Sequence, residues 1–414
     1  MARIVIITGG THGDVAPFLG LGQRLIQAGH QVRIAGGARF SDMVTDTGLD
    51  FHALAGADPR DAAATTAGEA ANRAGTRGTA SLFRAAAEAM GRQAADMAAA
   101  AADADIVLCT LSTVPLAVPV AEARGVPCIV VPLQIVEPTT EFGPTFLGGR
   151  NLGGWLNRAV PSLVGRLGTR AFAGLVKGVR NDLGLPKQVG AGYRPRELPI
   201  LHAVSPSVVP QPNDWRSDVR TVGYCWPLQP REWHPPSELV QFLSAGPPPV
   251  YFGFGSVGEG KAEQLEKEII DAIDRTGHRA LIQRGWAGME LTHERALMID
   301  EVPHDWLFPQ VAAVVHHAGA GTTAAGLRFG IPAVPVPFVH DQPFWARRLV
   351  TLGAAPCAIP QKRLRGDRLA DAIHNAVGDP RYKLAAADIA NRIQHEDGAA
   401  EIVYAINTLV PAQP

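Results

Sequence analysis

The residues best suited to chemistry lie at positions 311–345, VAAVVHHAGAGTTAAGLRFGIPAVPVPFVHDQPFW. The apolar run 311–315 reads as a buried parallel strand. His316-His317, a turn of small residues and a helix opening at Thr322-Thr323 follow it. Arg328 falls in that helix's last turn, and Gly330 supplies the stop. A helix start presents backbone N–H groups without intrahelical partners, and its dipole favours an anion by about 0.3–1 kcal/mol. Gly319, Ala320 and Gly321 let the main chain approach such an anion closely, while His317 and Thr322 can add donors. The spacing predicts a diphosphate cradle. A second buried strand, 331–337, ends at His340, so Asp341 and Gln342 stand at its carboxyl end.

This stretch resembles the nucleotide-sugar signature of the family-1 glycosyltransferases of the GT-B class, especially the branch holding bacterial antibiotic and sterol glucosyltransferases. The resemblance implies that His317 contacts the donor diphosphate, that Thr322 is the phosphate-binding hydroxyl, and that Asp341 and Gln342 hold the sugar hydroxyls. It extends to the loop after the first strand, Gly10-Thr11-His12-Gly13-Asp14-Val15-Ala16-Pro17, where relatives read G-S-R-G-D-x-x-P. Their aspartate deprotonates the acceptor, which makes Asp14 the candidate base. A carboxylate is a weak base in water, so partial desolvation would have to strengthen it. His12 replaces the usual arginine and is the second candidate, as histidine is the base in the plant branch. A third reading gives Asp14 only a helix-capping role.

The segment 253–258, GFGSVG, spells GxGxxG after a strand, which by itself suggests a dinucleotide oxidoreductase. Its position in mid-chain and the cradle downstream argue against that reading. The resemblance instead makes Gly255 and Ser256 donor-phosphate contacts and puts Trp286, Val302 and His304 beside the nucleoside. Two departures matter: Glu301 stands where plant relatives have a stacking tryptophan, and Ala325 where they have a ribose-binding glutamate. UDP and TDP donors therefore both stay open. Asp103-Ala104-Asp105 matches a metal-binding DxD only in spelling, since it enters a strand within an Ala/Asp-rich stretch. No metal and no cofactor are expected; the sugar nucleotide is a co-substrate.

The elements that must position these residues alternate. A strand at 3–8, a helix to Gly29 and a strand at 30–36 make one βαβ unit, which is right-handed and parallel. Further strands are expected at 105–110, 127–132, 200–204, 249–254, 280–283 and 296–299. An Ala-rich helix is expected at 82–102, and 56–80 reads as either a loop or a lid. The expected fold is α/β, GT-B, with two doubly wound Rossmann-like domains facing an interdomain cleft. Their bounds are 1–210 for the acceptor domain, 211–235 for a proline-rich linker and 236–390 for the nucleotide-sugar domain. A helix within 391–414 crosses back to the first domain.

The 414 residues can bury two ordinary cores, and 38 basic against 39 acidic side chains exclude a nucleic-acid footprint. Cys109, Cys128, Cys225 and Cys357 form no CxxC and read as buried free thiols of a reducing cytosol. No uncharged apolar stretch reaches the roughly 20 residues of a membrane span. The segment 142–181 has no acidic residue but carries Arg150, Arg158, Arg166, Arg170, Lys177 and Arg180 among apolar residues at helical spacing. A basic amphipathic pair of helices is expected there, either packed on the first domain or leaning on an anionic membrane as a peripheral contact. Monomer and homodimer both fit. The function expected is inverting transfer of a hexose, glucose first, from a UDP-sugar to a lipophilic acceptor such as a sterol. The alternatives are glycosylation of a polyketide, macrolide or glycopeptide, and, lower, a sugar-nucleotide epimerase or a non-catalytic GT-B partner protein.

Overall fold

A computed structural model describes residues 1–55, 93–186, 198–227, 233–255, 262–285 and 288–410. In β1 (Arg3–Ile7), Ile4 and Ile6 enter one hydrophobic layer and Val5 and Ile7 enter another. A strand apolar on both faces has to be covered on both, which a parallel sheet between helices achieves. The chain continues through α1 (His12–Gln27), β2 (Gln31–Gly37), β3 (Asp50–Leu54), β4 (Ile106–Cys109), α2 (Val114–Arg124) and β5 (Cys128–Val130). Then come α3 (Gly154–Asp182), β6 (Ile200–His202) and β7 (Val219–Thr221). These strands form one parallel sheet in the order β3-β2-β1-β4-β5-β6-β7.

The second set holds α4 (Ser237–Ser244), β8 (Val250–Gly253), α5 (Ala262–Thr276), β9 (Ala280–Gln283), β10 (Ala296–Ile299) and β11 (Ala313–His316). It goes on with α6 (Ala320–Arg328), β12 (Ala333–Pro335), α7 (Gln342–Thr351), α8 (Gly366–Gly378) and α9 (Pro380–Ile393), and α10 (Gly398–Leu409) follows. Its sheet, β10-β9-β8-β11-β12, is parallel as well. Each sheet reverses its order once, between β1 and β4 and between β8 and β11. Loops leaving the carboxyl ends of strands at such a reversal form the crevice in which α/β sheets hold ligands. Those loops are 8–11 after β1, and the turns after Gly253 and His316.

Packing divides the chain into one unit of Met1–Pro138, Ala159–Arg231 and Asp397–Pro414, and another of Thr139–Arg158 and Glu232–Glu396. Three sequence expectations need correction. Much of the expected linker 211–235 belongs to the first sheet: β7 is its edge strand, with Val219 fully buried. The Gln211 amide ties the proline-rich approach to that edge, donating to the Val219 carbonyl at 2.9 Å and accepting from the Thr221 N–H at 2.8 Å. The expected first domain, 1–210, loses Thr139–Arg158 to the second unit. The expected pair of basic helices is one continuous helix, α3, which carries Pro161 in its interior. The Ala-rich helix is described only at 93–100, and the lid candidate at 56–80 lies outside the described residues.

In the first unit α10 lies on α1, with Ile402 and Ile406 in the layer that holds Phe18, Leu21 and Leu25. Burying each isoleucine is worth about 1.5–3 kcal/mol. The exposed Arg24–Asp397 pair at 2.7 Å beside it contributes about 0–1 kcal/mol, so apolar burial decides where this helix rests. Cys109, Cys128 and Cys225 are buried free thiols, but Cys357 is exposed. Among the described residues no helix is long and apolar enough to cross a membrane.

Candidate donor and acceptor sites

The corner after β11 is built by what its residues lack. The helix expected to open at Thr322-Thr323 opens earlier, at Ala320, with Gly319 as its N-cap. Glycine has no side chain, so no cap oxygen covers the first-turn amides of Ala320, Gly321 and Thr322. Thr323 N–H already donates to the Gly319 carbonyl at 2.9 Å. The imidazole of His317 is wedged between two glycines. A Cβ on Gly319 would sit 2.4 Å from its Nε2, and one on Gly255, where φ is 58°, would sit 3.0 Å from its Cε1. Register places Gly253 of β8 beside His316 of β11, which brings these two turns together.

Among the described residues the buried His317 Nδ1 and Thr323 Oγ1 have no hydrogen-bond partner. Burial pushes the His317 pKa down against a raising contact with the Gly253 backbone, leaving a neutral ring at neutral pH. Its neighbour His316 is pushed down to about 3 by burial and then by the nearby His317 and His304. His316 Nδ1 accepts the Ala318 N–H at 3.2 Å, pinning Ala318 at φ 61°, a left-handed conformation that costs a non-glycine residue about 1–2 kcal/mol. The sequence reading missed both His316 as the brace of this turn and Thr323 as its buried hydroxyl. The doubled His-His and Thr-Thr were the available signals.

Asp341 and Gln342 lie where β12 gives way to α7, although that strand is shorter than the expected 331–337. Asp341 Oδ2 accepts the Trp345 indole N–H at 2.7 Å. Gln342 Oε1 accepts the N–H groups of Phe338 at 2.8 Å and Val339 at 3.1 Å. Two backbone donors on one oxygen fix the amide's orientation and direct its NH2 end elsewhere. Residues 139–158 pack on the next two positions. A Cβ on Gly148 would meet Pro343 at 2.9 Å, one on Gly149 would meet Phe344 at 2.8 Å, and the Phe142 and Phe344 rings lie 6.0 Å apart. The sequence gives no sign of this return, because the segment's own spacing is that of a loop.

Of the nucleoside candidates, His304 stacks on Phe308 at 4.2 Å with the Tyr251 ring edge-on at 6.2 Å, and Val302 is half-buried just before it. Trp286 and Ser256 lie outside the described residues.

In the first unit, Asp14 is the third residue of α1 and closes a capping box. Its Oδ2 accepts the Thr11 N–H at 2.7 Å and the Thr11 hydroxyl at 3.0 Å, while Asp14 N–H donates to the Thr11 carbonyl at 3.0 Å. Gly10, at φ 121°, makes this possible: a Cβ there would lie 2.3 Å from Oδ2. Arg39 donates to the Gly10 carbonyl at 2.8 Å and Thr8 to the Asp14 carbonyl at 2.8 Å, so the loop is held from both sides. Asp14 is half-buried, and the other candidate, His12, is exposed. The capping geometry is thus real. It orients the carboxylate through Oδ2.

The Asp103 and Asp105 carboxylates are engaged by Arg33 at 2.8 Å and Arg3 at 3.1 Å; against the upward push of burial at Asp103, these contacts hold both aspartates below the usual carboxylate range. Among the described residues no group of 3 or more His, Cys, Asp or Glu is arranged to hold a metal ion.

Comparison with known proteins gives the family. Residues 4–130 match the glycosyltransferase family 28 N-terminal domain, and residues 260–409 match the erythromycin biosynthesis protein CIII-like C-terminal domain. Two sterol 3-beta-glucosyltransferases of Arabidopsis thaliana are 34% and 33% identical over 99% of this chain, which covers 66% and 68% of them. One of Pichia angusta is 31% identical over 97% of this chain, which spans only 33% of its length. The chain thus spans about two thirds of the plant relatives and a third of that yeast one. Among solved structures, the glycotransferase of kitacinnamycin has TM-score 0.72 at 19% identity, covering 99% of both chains. The glycosyltransferase SnogD from Streptomyces nogalater has TM-score 0.65 at 18% identity over 99% of both. The structural likeness shows the GT-B fold, and similarity in sequence over 99% of this chain places it in the glycosyltransferase family of the sterol 3-beta-glucosyltransferases.

Proposed function

We propose that the chain transfers a hexose, glucose first, from a UDP-sugar to the hydroxyl of a sterol or another lipophilic acceptor, with inversion at the anomeric carbon. The observation that carries this reading is the first turn of α6, which has no cap side chain and lies next to His317. The donor diphosphate would lie on the amides of Ala320, Gly321 and Thr322, with His317 and Thr323 beside it. Asp341 and Gln342 would hold the sugar hydroxyls. Asp14 would take the acceptor's proton as its oxygen attacks the anomeric carbon from the side opposite the diphosphate. Charge leaving with the diphosphate meets donors that are already oriented, so little reorganisation is needed in the transition state. No divalent ion enters this scheme. A lipophilic acceptor also suits a peripheral contact with a membrane rather than a spanning helix.

A second reading has its own support. The glycosyltransferase VinC was solved in complex with DTDP, and Ala325 stands where plant relatives hold ribose with a glutamate. A TDP-sugar and a polyketide, macrolide or glycopeptide acceptor follow from it. Thermal shift with UDP-glucose and TDP-glucose separates the donors, since ligand at 100 times Kd stabilises by about 2.7 kcal/mol. Mass spectrometry of the better donor with sterols, macrolides and glycopeptides then gives the acceptor. A glucosylated sterol formed from UDP-glucose is the expected product. A product only from TDP-sugar and a polyketide moves the assignment to the second reading, and deuterium exchange at the second carbon of the sugar would indicate an epimerase instead.

A further inference from the structure

We propose that the outer face of α3 between Leu163 and Lys177 is a docking surface for an anionic lipid bilayer. At about 100° per residue, Leu163, Val164, Leu167 and Ala171 share a stripe roughly 100° wide. Val176 and Val179, each 4% exposed, lie on the other side of the helix and anchor it in the first unit. A helix buried on one face ordinarily shows polar residues on the other. This one shows Leu163, Val164 and Leu167 at 56%, 47% and 53% exposure. The exposed Arg166, Arg170 and Lys177 fall together on one flank of the stripe, within a band about 40° wide. From 142 to 181 there is no aspartate or glutamate to pair with them.

Aliphatic residues bordered by unopposed cations are the pattern of a helix that lies in a membrane interface, its apolar side in the acyl boundary and its charges at the headgroups. A protein partner fits less well. The stripe is far smaller than the roughly 1,200–2,000 Å² that a stable protein interface buries, and it has no aromatic anchor at its centre.

Flotation of the intact chain with vesicles tests this without donor or acceptor, so this proposal and the sterol reading fail separately. Binding is expected to phosphatidylcholine vesicles holding about one-third phosphatidylserine, weakly or not at all to phosphatidylcholine alone, and less at high salt. Each of Arg166→Gln, Arg170→Gln and Lys177→Gln should weaken it about fivefold, and the triple variant roughly 100-fold. The matched Arg166→Lys/Arg170→Lys variant should bind as the parent does, because the attraction is to charge and not to a guanidinium. These side chains are exposed, so melting temperatures should not move. Equal binding to both vesicles, or to the parent and the triple variant, overturns the proposal. It is also overturned if Leu163→Ser/Leu167→Ser raises KM for a water-soluble acceptor without changing vesicle binding, or if it merely dissociates a dimer.

Discussion

At the start of α1 the chain supplies its own anion, the Asp14 carboxylate folded back on Thr11. At the start of α6 it supplies none, because Gly319 has no side chain to offer. Both helices leave a strand at the reversal point of a parallel sheet, and both turns need glycine: Gly10 so that Asp14 can close its box, Gly255 and Gly319 so that His317 can lie between them. The same helix-start electrostatics is therefore met by a carboxylate of the chain in one unit and by no cap side chain in the other. In the proposed reaction a negatively charged substrate group would belong at α6, while at α1 the fixed carboxylate would repel it and suit a neutral hydroxyl.

Substitutions can break this comparison. The largest effect is expected from Asp14→Asn, which keeps an oxygen for the Thr11 N–H but removes the base. Turnover should fall 10²–10⁴-fold with little change in stability, as measured by steady-state kinetics beside urea unfolding. Unchanged turnover would reduce Asp14 to a cap. Next is Gly319→Ala, whose methyl group collides with His317. Donor affinity should drop roughly 10–100-fold by calorimetry, in line with loss of a hydrogen bond to a charged group.

A pH titration compares the units through the most strongly shifted imidazole of each. His202 and His316 are pushed down to about 4 and about 3, chiefly by burial, while unfolded histidine titrates near 6.5. Below pH 6.5 the unfolded chain binds the extra protons, so stability is full above that pH and falls towards pH 4. The slope should be about 1.4 kcal/mol per pH unit for each histidine. Urea unfolding at pH 7 and pH 5 reads it, and His202→Gln should remove the share of the first unit. The smallest effect is expected from Thr11→Val, about 1 kcal/mol of stability, with a lesser loss of turnover than Asp14→Asn causes.

The parallel sheets were legible because β1, β8 and β11 are apolar on both faces, and the glycine-rich turn between β11 and α6 because its small residues follow a strand directly. What escaped the sequence depends on contacts distant along the chain. Residues 139–158 join the second unit through Gly148, Gly149 and Phe142 against α7, and no local pattern encodes that. The proline-rich stretch 211–235 read as a linker, yet Gln211 fastens its start to the edge of a sheet. His316 and Thr323 were passed over because relatives draw attention to the positions beside them. Of the readings that the sequence leaves open for Asp14, the capping one is seen directly, in its contacts with Thr11.

Titration of isotope-labelled protein with uridine diphosphate, followed at the backbone amides by nuclear magnetic resonance, tests the central claim most directly. The account predicts that the Ala320, Gly321 and Thr322 amides shift together and saturably, with the Thr11 amide unmoved. Saturable binding that leaves those three amides in place would contradict it.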